Sequence, residues 1–274
     1  FPTRRSSDLV TGVGGTFANV GTLIGGTGAD NFIFSNGASL SGGVNGGGVT
    51  AGNDTLNWNA YTAARNVTIT GPGSVDGVQG TEASITGGFD NITQVLGANG
   101  VVGLLNNLTG SNSVNTWSVT ASNAGTFNGV LGFSGFQTLT GGSGADTFNL
   151  SAGVSGAING GTGTDAANVV SSFIAPASTL AINSVETISD NAGATITAGS
   201  LAISGATSIG SASHPLLGNL GTLQIGASNG DAFITTTGTV DLQGINLGSG
   251  TLGLASGGAI TDNSSLTVAA NAVN

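Results

Sequence analysis

Few residues in this chain could act on a substrate, and they are scattered. The 274 residues include 13 acids, three arginines and one histidine, with no lysine, cysteine or methionine. Thiol chemistry, disulfides, thiolate metal sites and lysine catalysis are therefore excluded. Glycoside hydrolysis needs two carboxyl groups facing each other across the scissile bond, yet no Asp-Asp pair or Asp-x-Asp string occurs. Beyond the first nine residues, a lyase reaction with a cationic base has only Arg65 to draw on, and Arg65 reads as a surface turn residue. His214 stands in Ser-His-Pro within a glycine-bounded loop, with no carboxylate beside it in sequence, and reads as a solvated loop histidine. Trp58, Tyr61 and Trp117 could offer flat faces to sugar rings, although such aromatics more often fill a core. Threonine pairs such as Thr68-x-Thr70 and Thr195-x-Thr197 would suit an ice face only on successive turns, and their spacing is irregular. The inventory points away from an enzyme.

One pattern does carry a chemical suggestion. Gly-Gly-x-Gly-x-Asp occurs at residues 25–30 and 141–146, and Gly160-Gly-Thr-Gly-Thr-Asp165 is a partial third copy. The string resembles the calcium-binding nonapeptide of RTX proteins. Glycines let backbone carbonyls turn towards a cation and the aspartate adds charge, while calcium asks for six to eight oxygens. RTX sites form between tandem copies, and only Asp146 and Asp165 stand about one turn apart, at 19 residues. They are the candidate calcium pair. The competing reading makes the same aspartates Asx-turns at corners that lead into Phe32, Phe148 or Val169.

The elements that must position these groups follow from composition and period. Glycine makes up 51 residues and charged residues only 6 %, while 38 % are hydrophobic. That balance opposes disorder, and the glycines oppose helix. Apolar-x-apolar triplets recur at Leu180-Ala-Ile182, Leu201-Ala-Ile203, Leu223-Gln-Ile225, Ile245-Asn-Leu247 and Leu266-Thr-Val268, at steps of 21 or 22 residues. The series extends upstream to Ile158 and Leu139, then to Trp117, Val67, Val44 and Leu23, with residues 71–113 least regular. One strand per step, with Gly, Asn, Ser and Asp between, predicts an all-β parallel β-helix with rungs of about 19–22 residues. The Asn-Thr-Asp, Gly-His-Gly and Arg-x-Lys signatures of β-helical pectinases are absent.

A longer duplication overlies the rungs. Leu23-Ile-Gly-Gly-Thr-Gly-Ala-Asp-Asn-Phe returns 116 residues later as Leu139-Thr-Gly-Gly-Ser-Gly-Ala-Asp-Thr-Phe, and Asp54-Thr-Leu-Asn-Trp corresponds to Asp165-Ala-Ala-Asn-Val. The expected organisation is duplicated glycine-aspartate modules over residues 10–169, then plainer rungs over 170–274 continuous with them. Residues 1–9 differ in style and resemble the translation of a sequencing-adapter oligonucleotide, so they are set apart from the fold. With no signal-peptide pattern, the chain reads as an internal segment of a longer protein.

Residues 133–148 and 257–268, with the motifs above, resemble the repetitive exoproteins of Gram-negative bacteria: filamentous haemagglutinin-like adhesins and passengers of two-partner secretion or autotransporter systems. The resemblance implies a right-handed coil, export and folding at the cell surface or outer membrane, and a role as the shaft of an adhesin. A host or neighbouring-cell receptor or glycan would then be met by regions outside this segment. A calcium-binding RTX-like module and a β-helical polysaccharide enzyme are the alternatives. The net charge of −10 leaves no basic patch for nucleic acid, and no stretch approaches 18 apolar residues.

Overall fold

A computed structural model describes residues 21–48, 52–176, 179–226, 228–262, 268–269 and 272–273. The adapter-like residues 1–9 and Leu266 of the last triplet lie outside the described residues. Among the described residues regular structure is entirely β, arranged as a solenoid of about 11 turns. No helix among the described residues is long and apolar enough to cross a membrane. Two compact units share the chain: one takes residues up to Ser111 together with Thr126–Phe136, the other Asn112–Gly125 together with Gln137 onward.

In the second unit the rungs stack as parallel strands. Leu180, Ala181 and Ile182 lie on Leu201, Ala202 and Ile203, and these lie on Leu223, Gln224 and Ile225. Alternation sends the first and third side chain of each triplet inward, where all six aliphatic groups are buried. No single turn could bury its own apolar face, so stacking creates the core. A second inward column runs Trp117, Phe148, Ala167, Ile188 and Ile209. The Trp117 and Phe148 rings stack 5.7 Å apart and nearly parallel. Residue 170 falls inside this unit, and register continues across it: Ala166–Val169 pairs with Thr187–Asp190. The change of wording there is a loss of the glycine-aspartate string, not a structural boundary.

Three of the later steps differ from the spacing expected from sequence. Ile158 lies on Ile182, not on Leu180. A slip of two residues keeps the same face inward, and it is selected by Asn183, whose Nδ2 donates to Asn159 Oδ1 at 3.0 Å. Leu223 meets Leu242 and Ile225 meets Ile245, with a bulge between them. The extra residue is accommodated at Gly244, whose φ of +83° suits glycine. Ile245 in turn pairs with Val268, two residues beyond the position the triplets imply.

The first unit begins in the same manner, with Leu23 on Val44 and Phe32 on Leu56. It then departs from a uniform rung. Strands Asn66–Pro72, Val78–Glu82 and Ile85–Ile92 form an antiparallel meander. Val44 therefore meets Phe89, and Leu56 meets Val95, after 45 and 39 residues. This insertion is the irregular stretch of the sequence.

Leu201→Ala should lower unfolding stability by about 2–5 kcal/mol in denaturant titration. Ile174→Ala, at a side chain 76 % exposed, should change it by less than about 0.5 kcal/mol.

Candidate functional site

Each glycine-aspartate string joins the end of one strand to the start of the next in the same turn. Gly141 is the penultimate residue of Thr138–Gly142, and Asp146 directly precedes Thr147–Leu150. Gly160 and Asp165 repeat this around Ala157–Gly161 and Ala166–Val169. The first glycine of the string is needed for space. A Cβ on Gly141 would stand 2.2 Å from Gly160 O and 2.3 Å from Asp146 Oδ2, and one on Gly160 would stand 1.8 Å from Ser184 O and 2.5 Å from Asp165 Oδ2. Backbone and carboxylate both close over a bare Cα.

The carboxylates form a ladder along the stacking direction. Asn115 donates its backbone N–H to Asp146 Oδ1 at 2.8 Å and its side-chain Nδ2 to the same oxygen at 2.7 Å. Asp146 N donates to Asp165 Oδ1 at 2.7 Å, and Asp165 N to Glu186 Oε2 at 2.6 Å. Main-chain bonds run alongside, from Thr147 N to Asn115 O, Ala166 N to Asp146 O and Thr187 N to Asp165 O. Each acid thus accepts the N–H of its counterpart one turn earlier. The first unit has a shorter version: Asp30 N donates to Asp54 Oδ1 at 2.9 Å, and Asp54 N to Thr93 Oγ1 at 2.8 Å.

Asp146 and Asp165 are each 1 % exposed, and the second oxygen of each, Oδ2, has no hydrogen-bond partner. Burial pushes the Asp146 carboxyl up to about 6 against the pull of the Asn115 donors, with Asp165 adding a smaller upward push. Burial also raises Asp165, opposed by the Asp146 N–H and reinforced by the charge of Glu186. Asp54 is raised to about 6 mainly by burial, the Asp30 N–H opposing and the charges of Asp30 and Asp76 adding.

Asp146 and Asp165 are therefore brought together as sequence reasoning expected, but not as a cation cage. Their Oδ1 atoms are taken by N–H donors, and their Oδ2 atoms point over glycine Cα groups in a closed interior. Calcium needs six to eight converging oxygens. Among the described residues no group of three or more acids or histidines could hold a metal. The donor set does not fit calcium. Glu186 and Asn115 complete the ladder and were missed from sequence. A signal existed for Glu186, an acid directly before a strand and 21 residues after Asp165.

The remaining candidates sort by burial. Arg65 is not a surface turn residue: its Nη1 lies 3.3 Å from Glu82 Oε1 with side chains 14 % and 0 % exposed, and its guanidinium carbon sits 4.3 Å over the Tyr61 ring. Glu82 Oε2 accepts from Ser84 N at 2.7 Å and from Ser84 Oγ, while Trp58 Nε1 donates to Ser84 Oγ at 2.9 Å. The antiparallel meander makes this network, so spacing alone did not announce it. A serine hydroxyl on a carboxylate has the makings of a nucleophile, but Ser84 is buried beneath Trp58 and closed to a substrate. Trp58, Tyr61 and Trp117 are buried and belong to the core. His214 is exposed, its Nδ1 3.1 Å from Ser213 Oγ. Thr195 and Thr197 are followed on the next turn by Leu217 and Asn219, so the threonine pairs form no continuous face.

No family model, curated protein or solved structure matches the chain.

Gly141→Ala should be strongly destabilising in thermal unfolding, because a backbone oxygen blocks the methyl group. Gly226→Ala, where a Cβ meets nothing within 4 Å, should be close to neutral. Millimolar calcium should leave the unfolding midpoint of the wild-type chain unchanged; a rise would restore the calcium reading of Asp146 and Asp165.

Proposed function

We propose that this chain is a structural, non-catalytic segment of a large secreted bacterial surface exoprotein, a shaft that extends or presents an adhesive tip lying outside these residues. One observation carries the reading: the groups with chemical potential are spent on the fold itself. Asp146, Asp165 and Glu186 cap backbone N–H groups of neighbouring turns, and Arg65, Glu82 and Ser84 hold the meander to Trp58 and Tyr61. Amide and hydroxyl groups of Asn149, Asn168 and Ser189 likewise serve the stacking, bonding to one another from turn to turn at 3.2 and 2.8 Å.

The solenoid, the absence of cysteine and the adhesin-like wording of residues 133–148 and 257–268 support this reading. A disulfide-free chain can pass a narrow export pore unfolded and gain its stability from stacking afterwards. The partner of the tip is a receptor or glycan on a host or neighbouring cell, and the segment resides at the bacterial surface.

Antibodies against the folded segment should label intact cells that express the gene, and labelling only after permeabilisation would overturn the location. Incubation with pectin, alginate and related polymers should release no new reducing or unsaturated ends. Their appearance would make the chain an enzyme.

A further inference from the structure

We propose that the Asn115–Asp146–Asp165–Glu186 ladder is a proton-operated clasp, which tightens the second unit in mildly acidic medium and loosens it at neutral pH. The geometry of the two central carboxyls carries the inference. Each has one oxygen satisfied by the N–H of the preceding turn and one oxygen, Oδ2, buried with no donor. A buried acceptor left without a donor is costly. Asp146 Oδ2 and Gly160 O both close on one point above Gly141, at 2.3 and 2.2 Å, and Asp165 Oδ2 and Ser184 O close on one point above Gly160, at 2.5 and 1.8 Å. Two acceptors facing the same spot repel. A proton on Oδ2 makes one of them a donor beside a carbonyl.

The chain contains its own precedent. Asn115 occupies the same position one turn earlier, and its uncharged side chain supplies donors where the acids have none, with Nδ2 2.8 Å from Ser113 O and 3.4 Å from Gly141 O. A protonated carboxyl would offer the same kind of donor.

The groups that face the clasp are themselves anionic or neutral. Asp146 faces Asp165 and the Asn115 amide, and Asp165 faces Asp146 and Glu186. Asp190, at the far end of the strand that follows Glu186, has its Oδ2 3.3 Å from Leu217 N. Arg65, the cation among the described residues, is engaged with Glu82 in the first unit. Among the described residues no counter-ion therefore opposes the effect of burial. A folded-state pKa above the ordinary carboxyl value means that stability is full below that ordinary value and declines as pH rises through the folded one. The window runs from about 4 to about 6.

Thermal unfolding of the full chain at pH 5.0 and pH 7.5, at fixed ionic strength, tests this. The midpoint should be about 5 °C higher at pH 5.0. Asp146→Asn with Asp165→Asn should remove most of that difference, whereas Asp231→Asn with Asp262→Asn, which removes two exposed charges, should retain it. An unchanged pH difference in the first double variant, or a wild-type midpoint that rises from pH 5.0 to 7.5, would overturn the clasp. Carboxyl-carbon NMR titration of the wild type reads the same point without a variant: an Asp146 midpoint near 6 supports it and one near 4 sinks it.

Discussion

The structure depends on vertical registry between parallel strands. A turn of about twenty residues cannot enclose a core, so every inward side chain must find its counterpart on the turn above and below. That demand fixes the side-chain types: Leu180, Leu201 and Leu223 are one column, and Ile182, Ile203 and Ile225 another. It also fixes the corners. Where turns come together at Gly141 and Gly160, carbonyl and carboxylate occupy the space of a side chain, and only a bare Cα fits. Hydrophobic columns and glycine corners are thus two results of one constraint, and the unusual composition follows from it.

Much of this was legible in the sequence because registry leaves a period. The triplets between residues 180 and 225 predicted the observed partners residue for residue. The spacing failed where two solutions shared the same parity. Ile158 could sit on Leu180 or on Ile182 and face inward in both cases, and the amide contact between Asn159 and Asn183 decided it. Side-chain amides specify register where aliphatic groups are interchangeable. The antiparallel meander was hidden for a different reason: its pairings are local and reverse direction, so they leave no long period to detect.

The site was half legible. Asp146 and Asp165 were identified as neighbours from their spacing, and they do lie on successive turns. Their role was not, because a glycine-aspartate string describes both a cation loop and an internal cap. The difference lies in which atoms surround the carboxylate, and here they are N–H donors. Glu186 and Asn115 take the same position without the string. The position is therefore defined by geometry, a capping oxygen directly before a strand, and aspartate and glutamate both serve, as does asparagine at Asn106, which accepts the Arg65 N–H directly before Asn107–Thr109. Arg65 was misread because its partner, Glu82, is brought to it by the meander.

That interchangeability bears on why acids are kept at all. An amide at Asp146 or Asp165 could accept the same N–H and would spare the chain two buried charges with no cation beside them. Each acid caps a backbone N–H of the neighbouring turn, but burial of its unpaired charge opposes folding, a cost an amide would not carry. Cysteine and lysine are missing from this chain, and the acids of the ladder are a chemical variable inside the column through which the surroundings can reach the core. A solenoid transmits the state of one turn to the next through shared backbone bonds. A charge placed on consecutive turns of that ladder acts on the stacking itself, which is the interaction from which all the remaining order derives.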